Sequence, residues 1–600
     1  MILRPLTKFG LIGVALCGLG CSGAIPGDSK SPNAPGGGPV PSNPSNPGNG
    51  GSNPGNGGST DPGMGGSTMK PVPPAGLPSD ADTVPGTAPL RRLTKLEYVN
   101  TVHDLLGFDA IPPARLAAFS ADQESGGSGF VRGGSVTAAP DARVFLQTSE
   151  DLATAIVPKL QGMLPCNPMP TAAPEQDACA DKFLAGFARR AYRRPLQDQE
   201  LSALKDLYRA QRAPAIGANF AQAVASTIGA LLQSPYFLYR WEMGPDKPER
   251  DGQLVRFSQH EIASRLSYLF WASMPDDKLF TAADNGKLGT ADEVASEARR
   301  LLSDPRARVA LNDFHIQWLR IGDLGDLPKD PSLTDYSPEV AKSMLKETEE
   351  FIANVFQGPK ADGKLETLLT SPSSYIDGNL AKIYGVKNMT GTNMQPVSFD
   401  PAQRAGLLTQ GTFLTSKADA IDSHPIKRGD TVLESLLCMA LEVPATITVP
   451  PLPEPKPGQT TRERVSVHSA APCATCHVLI DPVGFSFENY DAIGRYRTME
   501  ENKPVDASGT FSIGKDSVKF KNAVELLPAM AKSQEVRDCM ATQWWRYALR
   551  RQELQSEDPS LKLVREAFRQ SGNDLRELLV AFTRTRAFSH RQPSADEVLQ

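Results

Sequence analysis

Two cysteines and a histidine stand close together in the last third of the chain, at Cys473, Cys476 and His477. Residues three apart on a helical turn lie on one side of the helix, so both thiols can add to the vinyl groups of one haem. The histidine that follows directly can then bind the iron as its proximal ligand. The C-x-x-C-H spacing therefore predicts one covalent c-type haem on Cys473 and Cys476, with His477 on the iron.

Three other uses of the C-x-x-C-H box have to be weighed against haem. A redox disulfide of the thioredoxin kind follows a strand in a βαβ unit, and the residues before Cys473 do not have that pattern. A structural zinc site would need further ligands from Cys438, Cys539 or a histidine, and the chain has no second C-x-x-C. The box could also form an inert disulfide in an oxidising compartment. We favour haem and keep these alternatives.

The N-terminus has the pattern of an export signal. Arg4 and Lys8 precede an apolar stretch, residues 9–20, that is too short to span a bilayer. A small residue followed by Cys21 resembles a bacterial lipoprotein signal, although Gly18 stands where such signals usually carry Leu. A plain secretory cleavage nearby is the alternative. We expect residues 1–20 to be the signal peptide, Cys21 to carry lipid, and the mature chain to face the periplasm or the cell surface.

Residues 21–90 consist mostly of Gly, Pro, Asn and Ser. Such a segment buries too little apolar surface to offset its chain entropy, so we expect a disordered linker between the lipid anchor and a folded body. The rest of the chain is too long for one hydrophobic core. We expect helical modules at 91–135, 136–250, 251–400, 401–510 (the haem-bearing module) and 511–600.

The overall charge argues against one class of partner. The chain has 63 Lys and Arg against 68 Asp and Glu, for a formal net charge of −5, and its basic residues form no long run. We therefore expect no nucleic-acid binding. No long apolar run returns after Cys21, so the sequence predicts no further membrane span.

The eight cysteines can be assigned by elimination. Cys17 is removed with the signal peptide, Cys21 carries lipid, and Cys473 and Cys476 bind haem. Four cysteines are left, an even number that suggests two disulfides in an oxidising compartment. Of the three pairings we favour Cys166 with Cys179 and Cys438 with Cys539. Free buried thiols are the alternative.

Hydrophobic periodicity predicts a mainly α-helical fold of several helical subdomains. Capping boxes at Thr94 with Glu97 and at Ser258 with Glu261 mark two helix starts. We expect longer helices, each carrying an apolar stripe, at 142–164, 182–211, 220–239, 291–302, 307–319, 338–356 and 365–383. A small β-hairpin is predicted around Gly514 in the C-terminal third, followed by two helices.

Several longer motifs are shared with a known family. They are R-x-L-T-x-x-E-Y-x-N-T at 91–101, A-x-R-R-P-L at 191–196, S-P-Y-F-L-Y-R at 234–240, H-P-x-x-R-G at 424–429, and the run C-x-x-C-H-x-x-I-D-P-x-G-F-x-x-E-N-Y-D-x-x-G-x-Y-R at 473–497. With these motifs the chain resembles exported multi-module proteins of planctomycetes and myxobacteria. Their modules are known as domains of unknown function or as planctomycete cytochrome-like domains.

The resemblance implies a haem-c-like site at the box, and it leaves the sixth iron ligand open. The candidates are His424, His468, Met439, Met499, Met530 and Met540. Simple c-type cytochromes carry a Met well downstream, which favours Met530 or Met540, and an open site is an equal alternative. Arg495 and Arg497 could pair with the haem propionates, or form surface ion pairs instead.

The sequence supports two hypotheses about function. The first is a lipid-anchored envelope protein with one haem that transfers single electrons to an unknown redox partner or acts as a haem-dependent oxidoreductase. A His or Met as sixth ligand favours transfer, and an open site favours peroxide or oxygen chemistry. The second is a non-catalytic binding or scaffold lipoprotein in which the box is structural, as a disulfide or a zinc site.

Overall fold

The computed structural model describes residues 76–124, 127–134, 139–245, 250–322, 324–441, 452–466, 473–594 and 597. The described chain is mainly α-helical, with short β-ribbons of two or three strands, as the sequence predicts. The predicted signal peptide, Cys21, most of the predicted linker and His468 lie outside the described residues.

The first part of the described chain is a helical layer with its own core. Its helices are α1 (Lys95–Leu106), α2 (Pro113–Ala118), α3 (Ala139–Ile156), α4 (Leu160–Met163), α5 (Ala173–Tyr192), α6 (Asp198–Arg212), α7 (Phe220–Leu231) and α8 (Pro235–Leu238). The predicted capping box of α1 is present, because Thr94 Oγ1 accepts the Glu97 amide at 3.2 Å and Glu97 Oε2 accepts the Thr94 amide at 2.9 Å. Fully buried Tyr98, Leu184 and Ile228 belong to the core that these helices share.

Prolines shorten two of the helices predicted in this layer. The predicted helix 182–211 is two helices, since α5 ends in left-handed Arg193 and Pro195 lies in the turn before α6. The predicted helix 220–239 ends at Leu231, and the short helix α8 starts at Pro235. A proline has no N–H to donate to the preceding turn, so it begins a helix more readily than it continues one.

The middle of the chain is a second group of helices: α9 (Gln259–Trp271), α10 (Asp277–Asp284), α11 (Ala291–Ser303), α12 (Ala307–Leu319), α13 (Pro338–Gln357), α14 (Leu365–Thr370) and α15 (Gly378–Tyr384). The prediction of one helix over 365–383 is wrong, because a strand at Ser373–Ile376 separates α14 from α15. Asp377 then caps α15 by accepting the Asn379 and Leu380 amides, each at 3.0 Å.

The last part of the chain supplies the remaining helices: α16 (Gly411–Ser416), α17 (Pro425–Leu437), α18 (Thr461–Val465), α19 (Ala474–Phe485), α20 (Ala523–Lys532), α21 (Gln534–Leu549), α22 (Asp558–Gln570), α23 (Leu575–Thr583) and α24 (Arg586–Ser589). Residues from α9 to α24 contribute to one large hydrophobic core. A smaller core lies between α13 and α15, and it includes Ile493.

The strands form six antiparallel ribbons within the described residues. These are β1 (Arg91–Arg92) with β4 (Tyr239–Arg240), β2 (Gln123–Glu124) with β3 (Val131–Arg132), β5 (Arg250–Asp251) with β6 (Leu254–Arg256) and β13 (His590–Arg591), β7 (Ser373–Ile376) with β8 (Gln395–Ser398), β9 (Met499–Glu500) with β10 (Lys503–Pro504), and β11 (Gly509–Ile513) with β12 (Asp516–Phe520). The last pair is the predicted hairpin, which turns at Gly514 with φ +59°.

The folded body begins before residue 91, the start that the sequence predicts for it. The Val84 amide donates to the Ser556 carbonyl at 3.0 Å, and Thr83 Oγ1 accepts the Ser560 amide at 2.9 Å. The Asp80 carboxylate accepts the Arg586 amide at 2.7 Å. These bonds fix the residues before β1 on the C-terminal helices.

Both predicted disulfide pairings are confirmed. Cys166 is bonded to Cys179, with their Cα atoms 6.0 Å apart, and Cys438 is bonded to Cys539, with their Cα atoms 5.5 Å apart. The second bond joins the end of α17 to α21 across the large core.

None of the helices in the described ranges has both the length and the apolar character needed to cross a bilayer.

Candidate haem-attachment site

The C-x-x-C-H box forms the first turn of α19. The amides of Cys476 and His477 donate to the Cys473 carbonyl at 3.2 and 3.1 Å, so the helix starts on the box itself. Both cysteine side chains are half-buried, and their thiols are free, unlike those of the four paired cysteines. Thiols three residues apart on one turn share a side of the helix, which is the arrangement that two thioether bonds to one haem require.

His477 is held by a carboxylate one turn further along α19. Its Nδ1 lies 2.8 Å from Oδ1 of Asp481, and only 11 % of the His477 side chain and 14 % of the Asp481 side chain are exposed. A carboxylate can only accept, so Nδ1 carries a proton, and in the neutral imidazole Nε2 then has the lone pair that binds a metal. The donor set, two free thiols and an oriented imidazole, fits a covalent haem with His477 as the proximal ligand.

The role of Asp481 was missed in the sequence. The signal was present, because a histidine and a carboxylate four residues apart face the same side of a helix. In the sequence, Asp481 stands out only as part of the I-D-P-x-G-F run, and its pairing with His477 appears in the structure.

Helix α19 is positioned by an unusually close crossing with α17. A methyl group on Gly484 would overlap the Pro425 carbonyl, and one on Gly429 would overlap the Ile480 carbonyl and lie 2.9 Å from the Gly484 nitrogen. The two backbones are therefore in direct contact. This explains a glycine in each of the H-P-x-x-R-G and D-P-x-G-F motifs, since only glycine lets helices approach so closely.

The same contacts fix the direction of the two helices. Pro425, at the start of α17, meets Gly484, near the end of α19, while Gly429 meets Ile480. The helices are therefore antiparallel, and the box lies level with the second half of α17. The side chains that this half of α17 buries include the apolar Val432 and Leu433. Cys476 packs on the same large core as this part of α17.

The turn after α19 is held by Arg428, whose side chain is completely buried. Its guanidinium donates to the carbonyl oxygens of Phe487 at 3.0 Å, Tyr490 at 2.8 Å, Asp491 at 2.8 Å and Leu414 at 3.1 Å. Arg428 and Gly429 belong to the same H-P-x-x-R-G motif. This one stretch of α17 therefore sets both the contact with α19 and the path of the chain after α19.

Glu488 balances the charge of Arg428 in the interior. Its Oε1 lies 3.9 Å from Arg428, and its Oε2 accepts hydrogen bonds from Ser423 Oγ at 2.9 Å and from Arg497 at 3.1 Å. Burial raises the pKa of the Glu488 carboxyl above its ordinary value, and the two guanidinium groups oppose that rise. The E-N-Y-D part of the family run is thus a structural network behind α19.

Arg495 and Arg497, the two candidates for pairing with haem propionates, are engaged with carboxylates of the chain. Arg495 donates to Asp491 at 2.8 Å and to Asp335 at 3.0 Å. Arg497 pairs with Glu488 at 3.1 Å and with Glu500 at 3.0 Å. The alternative of ion pairing is the one that the structure shows.

The candidates for sixth ligand lie in different surroundings. Met530 on α20 and Met540 on α21 are packed inside the large core, Met439 is half-buried beside Cys438, and Met499 is exposed on β9. His424 precedes the first turn of α17, where its Nδ1 accepts the Lys427 amide at 3.3 Å, and burial lowers its pKa to about 4. The identity of the sixth ligand stays an open prediction.

The zinc alternative loses two of the ligands proposed for it. Cys438 and Cys539 are bonded to each other and so supply no thiolate to the box. Over the part of the chain that the structure describes, no group of three or more His, Cys, Asp or Glu side chains is placed to hold a metal ion.

Five family models match the chain in series, each described as a protein of unknown function. They are DUF1587 at residues 91–158, DUF1595 at 179–242, DUF1592 at 257–386, DUF1588 at 404–500, which contains the box, and DUF1585 at 516–588. The domain bounds drawn from the sequence stay predictions. No curated protein and no solved structure matches the chain. The chain therefore belongs to the multi-module family in which these five domains of unknown function follow one another.

Proposed function

We propose that this chain is an exported, lipid-anchored envelope protein that holds one haem through Cys473 and Cys476 and uses it for one-electron transfer or a haem-dependent oxidation. The observation that carries the proposal is the first turn of α19, where two free thiols precede a histidine whose Nδ1 is bound by Asp481. A covalently bound haem supplies one-electron chemistry at its iron.

The residues around the box have separate tasks in this proposal. Asp481 fixes the tautomer and the ring orientation of His477, and its negative charge makes Nε2 a stronger electron donor. A stronger proximal donor favours the ferric state, so we expect a lowered reduction potential. The buried apolar side chains on this half of α17, Val432, Leu433 and Leu436, would exclude water from one side of the box.

A site that changes redox state works best on a support that does not move. The glycine contact between α17 and α19 brings the two backbones together. Arg428 of α17 donates to three carbonyls in the turn after α19 and to the Leu414 carbonyl on α16. We infer that this scaffold keeps the histidine in one position in both oxidation states.

The envelope location is supported by three features that agree. The N-terminal pattern is that of a lipoprotein signal, c-type haem is attached outside the cytoplasm, and the two disulfides are of the kind that persist in oxidising compartments. Anchoring through Cys21 can be tested alone, because Cys21→Ser should move the protein from the membrane fraction to the soluble fraction.

The test is expression of the full chain in a bacterial host that has the machinery for cytochrome c maturation. We expect an intact mass that includes one haem and a Soret band that survives acid-acetone extraction. The double variant C473A/C476A should lose both signals. The matched control C166A/C179A should keep them, since it removes a disulfide far from the box in sequence.

A colourless wild-type protein from such a host would overturn the haem proposal. If Cys473 and Cys476 were then found bonded to each other or to zinc, the chain would be an anchored binding or scaffold protein with a structural box. Peptide mass mapping and zinc analysis distinguish these two outcomes.

A further inference from the structure

Four arginines from four elements line one buried cavity, well away in sequence from the haem box. They are Arg91 on β1, Arg240 on β4, Arg265 on α9, and Arg550 directly after α21. Arg91 and Arg240 are paired in register across the β1–β4 ribbon, which places two guanidinium side chains beside each other. The family motifs at 91–101 and 234–240 thus meet at this point with helices from the middle and the end of the chain.

The nearby carboxylates do not use all the donors of these arginines. Arg240 pairs with Glu242 at 2.8 Å and with Glu97 at 3.7 Å, Arg265 pairs with Glu242, and Arg550 lies 3.7 Å from Asp313. Yet Arg240 Nε, Arg265 Nε and Arg550 Nη1 are buried without a hydrogen-bond partner among the described residues. A buried donor without an acceptor is unfavourable, and three such donors belong to arginines that line this one cavity, which suits it to an added acceptor.

The balance of charges around the cavity also favours an anion. Four guanidinium groups face three carboxylates, Glu97, Glu242 and Asp313. A neighbouring chamber shares Arg91 and Arg265 with the cavity and adds Arg132 to its wall, beside Glu242. The region therefore has an excess of positive charge.

We propose that this arginine cavity binds a small oxyanion of the phosphate type, either free inorganic phosphate or a phosphoryl group on a larger molecule. Guanidinium groups that approach from several directions suit a tetrahedral ion, whereas a planar carboxylate is satisfied by a single arginine fork. Because the arginines come from the first, middle and last modules, the bound anion would join these modules and stabilise the folded chain.

The experiment is titration of the purified mature protein with inorganic phosphate at constant ionic strength, followed by calorimetry and by the midpoint of thermal unfolding. We expect saturable binding and a rise in the midpoint that sodium chloride and sodium acetate do not reproduce. Arg91→Met, on a two-residue ribbon at the cavity wall, should weaken phosphate binding at least tenfold. Arg569→Met, at an exposed arginine of α22, should bind like the wild type.

The proposal is overturned if wild-type protein binds no phosphate, if acetate binds and phosphate does not, or if Arg91→Met binds phosphate as tightly as the wild type. If Arg91→Met does not fold, Arg91→Gln, which also removes the charge from the cavity wall but keeps a polar side chain, takes its place in this comparison. A phosphorylated sugar added in place of phosphate separates the two sources, because only a cavity open to a larger molecule binds it with similar affinity.

Discussion

Asp481 accepts the Nδ1–H of His477 at 2.8 Å from one turn further along α19. If His477 binds haem iron, the charge of Asp481 should lower the reduction potential by strengthening the donor. We expect Asp481→Asn, which keeps an oxygen acceptor and removes the charge, to raise the midpoint potential by about 60 mV or more, the equivalent of a tenfold change for one electron. Redox titration of the haem-loaded protein measures this shift.

The matched control for that variant is Asp506→Asn. Asp506 is an exposed carboxylate that pairs with Arg462 at 3.5 Å after the family run. Its removal should leave the potential unchanged. Equal potentials for wild type and Asp481→Asn would show that the hydrogen bond positions the ring without tuning the iron.

Gly484 and Gly429 should not tolerate a side chain. A methyl group at either position overlaps a backbone carbonyl of the opposite helix, and backbone atoms cannot move aside as a flexible side chain can. We expect Gly484→Ala to lower the free energy of unfolding by about 2–4 kcal/mol. Urea unfolding followed by circular dichroism gives the value.

Gly186→Ala is the control for the glycine prediction. Gly186 lies within α5, and a methyl group there meets no atom within 4 Å. Alanine should be neutral at this position or stabilise the helix by up to about 1 kcal/mol. A similar loss in both variants would mean that the α17–α19 contact is not the cause.

The two disulfides should differ in their contribution to stability. The Cys438–Cys539 bond closes a loop of 101 residues that includes α19, while Cys166–Cys179 spans 13. In the chain-entropy model the longer loop contributes about 4.7 kcal/mol and the shorter about 3 kcal/mol. We expect C438A/C539A to lose more free energy of unfolding than C166A/C179A under oxidising conditions. The reverse order in urea unfolding would contradict this explanation.

Glu347 should make the stability depend on pH. This carboxyl on α13 is buried, it accepts hydrogen bonds from Tyr384 and from Ser374 Oγ, the latter at 2.7 Å, and burial raises its pKa to about 7. The folded state therefore holds the proton more tightly than the unfolded state, whose pKa is about 4.3. The resulting stability is complete below about pH 4.3 and is lost as the pH rises to about 7.

The variant Glu347→Gln should remove most of this dependence. Relative to the wild type, its free energy of unfolding should increase by about 3 kcal/mol between pH 4.3 and 7, as measured by urea unfolding at several pH values. Glu366→Gln, at an exposed position of α14, is the control and should follow the wild type. Parallel curves for wild type and Glu347→Gln would exclude Glu347 as the titrating group.

The features predicted correctly from the sequence depend on residues that are close together in the chain or on the number of cysteines. The capping box at Thr94 and the hairpin at Gly514 use residues a few positions apart, and the disulfides followed from an even number of cysteines. The helix predicted at 365–383 is wrong because two breaker signals inside it were overlooked: Ser371-Pro372 follows the end of α14, and Asp377-Gly378 begins α15. Proline and glycine in such dipeptides end a helix even where apolar residues recur on both sides.

The contacts that position the candidate site were not predictable in this way. Arg428 binds carbonyls about 60 residues further along the chain, and nothing in its local pattern distinguishes it from an exposed arginine. The ribbon between β1 and β4 has two residues in each strand, too few to show an alternating pattern. Both features appear only once distant segments are packed together.

The residues before β1 and the strand β13 have a consequence for how the modules can be separated. Val84, near the start of the described chain, is hydrogen-bonded to Ser556, and His590, near its end, pairs with Arg256. The first segment is therefore bound to the C-terminal part, and the last strand is bound to the middle of the chain. Cutting the gene between two modules would leave these partners on different fragments. We expect the five domains to unfold as one cooperative unit, and two co-expressed halves to reassemble rather than fold separately.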